Sequence, residues 1–148
     1  MLHFEGDTDF PQTPAEVFAR LSDAGFLVQC IPGVESVPKS GPVEAQCILR
    51  PGLAFVRGTL EITLKVVDVV EALSLRIQTH SKGIGSSNDV EGLLTFAPRD
   101  GGTRVHWVAD VTNLSGLLKA VPQGLLKGAA QKVIGDVWAE VKGKMEIS

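Results

Sequence analysis

The chain has 148 residues, which suits a single domain spanning residues 1–148, and 44% of them are hydrophobic, enough for an ordinary core. The formal net charge is −3 without a basic patch or stripe, so we expect no nucleic-acid partner. The N-terminus lacks the pattern of an export signal, and no apolar run approaches the ~18 residues of a membrane span, so we expect a cytoplasmic protein.

The first predicted elements are a strand and two short helices. Residues 2–10 alternate between apolar and mainly acidic side chains, which is typical of a half-buried strand. A helix should follow, because Thr13 can cap it, Pro14 suits its first position and Glu16 completes a capping box. A second short helix should end at Pro32-Gly33.

The middle of the chain predicts antiparallel strands. Apolar and polar residues alternate there, and turn signals such as residues 40–42 and 100–102 divide the pattern. The predicted strands cover residues 34–39, 43–50, 53–70, 73–81, 90–96 and 105–111. The first strand should pair with the last, since both have one polar and one apolar face.

The C-terminal stretch has apolar residues at helical spacing from Leu114 to Met145. This spacing predicts one long amphipathic helix, or two pieces that meet near Pro122. Residues 114–148 carry five lysines against three acidic residues, whereas residues 1–113 carry 9 basic and 14 acidic residues. A solvated outer helix face explains the positive charge, and contact with an anionic surface, such as a membrane or an acidic partner, is the alternative.

The order of these elements defines an α+β fold. A curved antiparallel sheet of six to seven strands should wrap around the long C-terminal helix, with two short helices after the first strand. The helix must cover one face of the sheet, because too few strands are present to form a second sheet against it. The space between helix and sheet is therefore the place to look for function.

The polar residues do not form an evident catalytic or metal site. Alternation places His3, His80 and His106 on the outer faces of their strands, although a catalytic or ligating histidine should point into a pocket. The carboxylates fall on outward rows, turns or a solvated helix face, so no general acid–base pair is expected. Cys30 and Cys47 are expected to be buried thiols without a catalytic role, and neither a metal nor a cofactor is expected.

One glycine-rich segment could be mistaken for a phosphate-binding loop. Residues 82–85 contain two glycines, but they lack the Walker spacing and join a strand to a strand. A bend in the sheet or a loop at the rim of a cavity is the better interpretation. Ser81, Ser86 and Asn88 could supply polar contacts there or satisfy only local backbone groups.

At the level of motifs, the chain resembles a known family. The matching pieces are residues 4–6, 14–18, 30–37 with their Ile-Pro-Gly-Val sequence, 82–85 and 115–117. The whole chain is similar to the CoxG-type family, named for the G subunit of carbon monoxide dehydrogenase, within the START and birch-pollen-allergen (SRPBCC) superfamily. The resemblance implies the helix-grip fold of that superfamily, with a cavity for hydrophobic molecules between the sheet and the long helix.

For function, the resemblance implies a non-enzymatic accessory protein that binds a lipid-like or quinone-like molecule. It also implies a CO dehydrogenase-type oxidoreductase as a partner and peripheral membrane contact through the C-terminal helix. Relatives of this type carry a hydrophobic C-terminal tail, and because this sequence stops at Ser148 we expect a soluble or weakly membrane-associated carrier. The residues expected to line or guard the cavity are Phe26, Phe55, Val56, Leu60, Ile62, Leu75, Ile77, Leu94, Trp107, Leu118, Leu125 and Val133.

Two other functions remain open from the sequence. An assembly or recruitment factor for a molybdenum oxidoreductase would expose an apolar patch instead of enclosing a cavity. A polyketide cyclase-like or dehydratase-like enzyme would need an inward-facing acid, base or histidine, and the sequence offers none that is convincing. The fold alone does not choose among the three.

Overall fold

A computed structural model describes residues 2–50 and 58–147, and within them one seven-stranded antiparallel sheet and a long C-terminal helix dominate. The strand order is β1-β7-β6-β5-β4-β3-β2. The strands are β1 (Leu2–Phe10), β2 (Val34–Lys39), β3 (Glu44–Leu49), β4 (Leu60–Val70), β5 (Ser74–Gly83), β6 (Ser86–Arg99) and β7 (Gly102–Gly116). The predicted α+β architecture is confirmed, while the part of the predicted strand 53–70 that precedes residue 58 lies outside the described residues.

The first short helix forms where its capping residues predict it, and the second ends at Gln29, a few residues before the predicted end at Pro32-Gly33. Helix α1 (Pro14–Leu21) begins after Thr13, whose hydroxyl accepts a hydrogen bond from the backbone N–H of Glu16 at 3.3 Å. The Thr13 hydroxyl also donates to the Glu16 carboxylate at 3.0 Å. Helix α2 (Ala24–Gln29) begins after Asp23, whose carboxylate caps it by accepting from a backbone N–H at 3.0 Å.

The pairing of the first strand with the last is also confirmed. β1 and β7 are antiparallel and paired without interruption from Leu2 opposite Val111 to Phe10 opposite Thr103. The β6–β7 turn consists of Asp100 and Gly101, both with positive φ, which suits the right-handed twist of a two-residue hairpin. The first strand of the chain therefore lies at one edge of the sheet, beside the last strand.

Much of the hydrophobic core lies at one end of the sheet, which we call the closed end, and it continues along β3 beside α2. The closed end contains the β4–β5 and β6–β7 turns, together with α1 and α2, which pack on the inner face of the sheet. Phe18 of α1 meets Phe96 of β6 edge to face, with 5.4 Å between the ring centroids. Leu75, Val105 and the α2 residue Val28 are fully buried there.

The opposite end of the sheet, which we call the open end, contains the β5–β6 turn, the start of β1 and the end of β7. Ile84 and Gly85 form its β5–β6 turn, with φ values of 56° and 68°. The segment 82–85 thus joins a strand to a strand through a two-residue hairpin turn, as the sequence predicts. At this end the start of β1 and the end of β7 face the 3-10 helix and the start of the long C-terminal helix.

The apolar run is not one continuous helix: of the two alternatives, the division near Pro122 is the one found, and only the predicted start at Leu114 is wrong. β7 continues to Gly116, a short 3-10 helix follows (Leu117–Ala120), and helix α3 is Gln123–Ile147. Val121, between the two helices, is extended (ψ 134°), as expected for a residue before a proline. Pro122 therefore marks the start of α3 and does not kink a continuous helix.

Candidate functional site

The inner face of the sheet is only partly covered at the open end. Along β5, Leu75 is fully buried, but Ile77 two residues further on is half-buried. β4 and β7 show the same change, because Leu64 and Val105 are buried whereas Ile62 and Trp107 are half-buried. These side chains remain on the inward rows, whereas the inward residues of β1 and β3 at this end are buried (Leu2, Phe4, Cys47 and Leu49). The partly accessible apolar surface therefore belongs to β4, β5 and β7.

Helix α3 shows the matching change along its length. Val141 and Met145, near its C-terminus, are buried in the core, and Gln12 donates a hydrogen bond to the carbonyl of Met145 at 3.2 Å. Towards the open end, Val133 is half-buried and Leu125 is 51% exposed. The C-terminal part of the helix is thus packed in the core at the closed end, whereas its N-terminal part is more exposed to solvent at the open end.

The connection from β7 to α3 is held against the rim by short backbone contacts. The Leu117 N–H donates to the Gly85 carbonyl at 3.2 Å, and the Leu118 N–H donates to the Ser86 hydroxyl at 3.2 Å. Gly116 has a φ of 70°, and a Cβ there would lie 1.8 Å from the Gly85 carbonyl oxygen. Only glycine fits this crossing without a shift of the backbone.

Behind this connection lies a partly open cavity of about 390 Å³. Its walls come from the first residue of β1, the end of β7, the 3-10 helix and the first turn of α3. The lining residues are Leu2, Val111, Thr112, Asn113, Leu114, Leu118, Lys119, Val121, Gln123 and Leu126. A mostly aliphatic lining with a few polar groups, at the lower end of ordinary ligand-site volumes (~300–1,000 Å³), suits a small apolar molecule.

The residues that the sequence proposes for the cavity fall into three groups in the structure. Phe26, Leu75 and Leu94 are buried in the core, and Leu125 is exposed. A third group is half-buried and lies nearer the open end: Leu60, Ile62, Ile77, Trp107, Leu118 and Val133. Of these six residues, only Leu118 lines the cavity. Phe55 and Val56 lie outside the described residues.

Several lining residues were missed by the sequence analysis. Leu2 and Val111 sit on the inward rows of paired strands, so alternation together with the predicted β1–β7 pairing could have found them. Leu114, Val121 and Leu126 fit the helical spacing of the C-terminal stretch, and this interpretation hid the strand end and the connection that form the wall.

Trp107 and Trp138 connect the sheet with the helix. Their ring centroids are 6.3 Å apart, and the Trp107 ring lies against Gly6, where a Cβ would come within 2.8 Å of it. The Trp107 indole nitrogen is buried without a hydrogen-bond acceptor in the described part of the chain. Because both tryptophans of the protein lie at this contact, their fluorescence should report changes between sheet and helix.

The histidines lie on the outer face, as predicted. Each pairs through Nδ1 with an aspartate: His3 with Asp110, His80 with Asp89, and His106 with Asp7 at 2.5, 2.6 and 2.9 Å. Hydrogen bonds from Asn113 and His80 lower the pKa of Asp89. In these pairs the imidazoles are held on the convex side of the sheet, away from the cavity.

The two thiols are buried, which also agrees with the sequence interpretation. Cys30 and Cys47 are free and fully buried where α2 packs against β3. Burial raises the pKa of each thiol to about 11, so the nucleophilic thiolate is scarce near neutral pH. They therefore behave as small core residues.

Metal-binding clusters and membrane-spanning helices are both absent from the part of the chain that the structure describes. Over residues 2–50 and 58–147, no group of three or more His, Cys, Asp or Glu side chains is arranged to hold a metal ion. No helix in the same ranges combines the length and apolarity that crossing a membrane requires.

The architecture is that of a helix-grip protein, and solved structures share it. A conserved protein from Geobacillus kaustophilus is 24% identical with a TM-score of 0.87, covering 99% of this chain and 97% of that chain. A START superfamily protein from Mycobacterium smegmatis is 13% identical with a TM-score of 0.70, and the match covers 97% of each chain. Ara h 8.0201 is 15% identical with a TM-score of 0.66, and the match covers 99% of each.

The family is more specific than the fold. The family model for the G subunit of carbon monoxide dehydrogenase (CoxG) matches residues 6–146, which is nearly the whole chain, and the protein belongs to this family. No curated protein matches the sequence. The solved structures, all below 25% identity, establish the fold and leave the ligand to be argued from this chain's own residues.

Proposed function

We propose that this protein is an accessory protein that binds a hydrophobic, lipid-like or quinone-like small molecule at the open end, between the sheet and the start of α3. The observation that carries the proposal is the contrast between the sealed core and the accessible apolar surface that continues from it. Ile77 and Trp107 lie on the same inward rows as the fully buried Leu75 and Val105, yet they remain half-buried. Val111, further along the inward row of β7, is also half-buried and lines the cavity together with Leu118, and a bound apolar molecule would cover both.

The cavity supports the same proposal from a second direction. Six of its lining residues are aliphatic, and they come from both the sheet and the helix connection: Leu2, Val111, Leu114, Leu118, Val121 and Leu126. Sheet and helix would therefore both contact the ligand. Catalysis is not part of the proposal, because the histidines lie on the outer face and the thiols are buried in the core.

The proposal can be tested with a neutral apolar fluorescent probe, N-phenyl-1-naphthylamine. Saturable binding is expected, and Val111→Phe should weaken it about tenfold, because the larger ring occupies the cavity. Val108→Phe is the matched control, since Val108 lies on the opposite, outer face of β7 and does not line the cavity. Absence of saturable binding to the wild type, or equal effects of the two substitutions, would contradict the proposal.

We also propose association with a carbon monoxide dehydrogenase-type oxidoreductase, which the family match supports. A specific surface favours it: Val69, Val70 and Leu73, at the β4–β5 hairpin, are each about half exposed, at 49%, 51% and 59%. Grouped exposed apolar side chains mark protein interaction sites more often than isolated ones do. The patch lies at the closed end, so it would leave the cavity accessible.

Co-purification with the large subunit of such an enzyme tests this association. Leu73→Asp should abolish retention, whereas Leu125→Asp, a similarly exposed leucine at the other end of the molecule, should not. Equal retention of both variants would contradict docking through the hairpin.

Peripheral membrane contact through the C-terminal helix is the last part of the proposal. Residues 111–135 contain three lysines and no acidic residue, and Leu117 and Leu125 are exposed among them. Basic and exposed apolar residues together favour an anionic lipid surface. Sedimentation with phosphatidylglycerol vesicles, and not with phosphatidylcholine vesicles, is the expected result; no sedimentation with either would contradict it.

A further inference from the structure

The cavity lining is chemically uneven. Beside the six aliphatic residues it contains three neutral polar residues, Thr112, Asn113 and Gln123, and one charged residue, Lys119. Lys119 lies in the 3-10 helix, lines the cavity and is exposed, and a lysine in such a place can lay its aliphatic stem along an apolar wall while its charge stays in water. The site therefore offers an apolar body and one positive charge at its edge.

The Lys119 ammonium group is free to bind a ligand, as far as the described part of the chain shows. Lys119 makes no ion pair there, whereas Lys132 is held by Asp136 at 2.7 Å and Lys65 by Glu44 at 3.5 Å. No acidic residue lies between Asp110 and Asp136 in the sequence. Lys119 also differs from Lys127, which carries the same charge on the first turns of α3 but does not line the cavity.

We propose that the ligand is an anionic amphiphile, with an aliphatic body in the cavity and a carboxylate that accepts a hydrogen bond from the Lys119 ammonium group. This inference rests on the proposed function and specifies the chemical class of its ligand. A carboxylate at the rim keeps part of its hydration, so it avoids the large cost of burying a charge. An ammonium–carboxylate contact is a charge-assisted hydrogen bond, short and stronger than a neutral one.

The test compares dodecanoate with dodecanol, which have the same chain length and differ in the head group. Each is measured by its displacement of N-phenyl-1-naphthylamine from the protein. Lys119→Gln should weaken dodecanoate binding about fivefold, the scale of an exposed ion pair, and should change dodecanol binding less than about twofold. Lys119→Arg should retain most of the preference, and added salt should reduce the affinity of the wild type for dodecanoate.

Lys127→Gln is the matched control, and it should leave both ligands unaffected. Equal losses with Lys127→Gln and Lys119→Gln would overturn the inference, because they would indicate a general positive field instead of a head-group contact. An unchanged dodecanoate affinity in Lys119→Gln would overturn it as well. If the fluorescent probe binds but dodecanoate does not displace it, the amphiphile is wrong and the proposed function stands; if the probe itself does not bind, both fail.

Discussion

The two ends of helix α3 have similar apolar spacing and opposite surroundings. Near the C-terminus, Val141 is buried, and Trp138 packs against Phe10 with 6.2 Å between the ring centroids. Near the N-terminus, Leu125 is half exposed and Leu126 borders the cavity. The difference shows that amphipathic spacing orients a helix towards the sheet but does not determine how completely that face is covered.

The cause of the difference is the placement of the two short helices. α1 and α2 fill the inner face of the sheet at the closed end, where the C-terminal part of α3 completes the core. Further along the same inward rows, Ile62, Ile77 and Trp107 are only half-buried, while Cys47 and Leu49, on the strand that contacts α2, remain buried. Stability and ligand binding are therefore expected to separate along the length of the molecule.

The largest expected effect compares two identical substitutions at the two ends. Leu75→Ala should lower the free energy of unfolding by about 3 kcal/mol, because it leaves a cavity in a fully buried part of the core. Leu125→Ala should lower it by less than about 1 kcal/mol, because half of that side chain is already in water. Urea unfolding followed by circular dichroism measures both, and similar losses would remove the distinction between the ends.

A smaller effect is expected at the glycines that turn the chain. Gly101→Ala, at a φ of 81° with no atom within 4 Å of the new Cβ, should cost about 1 kcal/mol from backbone strain alone. Gly116→Ala should cost about 2 kcal/mol, since its Cβ also collides with the Gly85 carbonyl oxygen.

The control for these substitutions is ligand binding. Gly116→Ala should also weaken probe binding, because it displaces the connection that forms the cavity wall, while Gly101→Ala should not. Thermal unfolding and probe titration of both variants measure the two effects. Equal destabilisation by the two alanines would show that the backbone near Gly85 can move away from the new Cβ at residue 116 without a measurable cost in stability.

The smallest expected effect concerns two exposed glycines within α3. A Cβ added at Gly128 or Gly143 would meet no atom within 4 Å, so alanine should gain about 0.8 kcal/mol of helix stability at each. At Gly143 the gain should appear in global unfolding, because that part of the helix belongs to the core. At Gly128 it should appear mainly as slower local amide hydrogen exchange. The reverse result would show that the open end unfolds together with the core.

Much of the fold could be predicted because the signals are local. Thr13 caps α1 through a backbone N–H three residues away, and Asp100-Gly101 suits a two-residue hairpin wherever it occurs. The pairing of β1 with β7 followed from their matching polar and apolar faces. The start of α3 was predicted less well, since Leu114 fits a helical spacing and a strand alternation equally.

The cavity was harder to predict than the fold. Leu118 is the one lining residue that the sequence analysis selected, because inward rows indicate which side chains face the helix but not how far the helix stands from them. That separation depends on contacts between residues far apart in the sequence, such as Gln12 with Met145 and Leu117 with Gly85.

The sequence by itself determined the elements of this protein, the outward position of its histidines and the side of the sheet that the last helix covers, because alternation, helical spacing and capping act over a few residues. Only the tertiary structure decided that the core is sealed at one end and accessible at the other. Coverage depends on where α1 and α2 pack and where β7 crosses the β5–β6 turn, and these are contacts that no local pattern specifies.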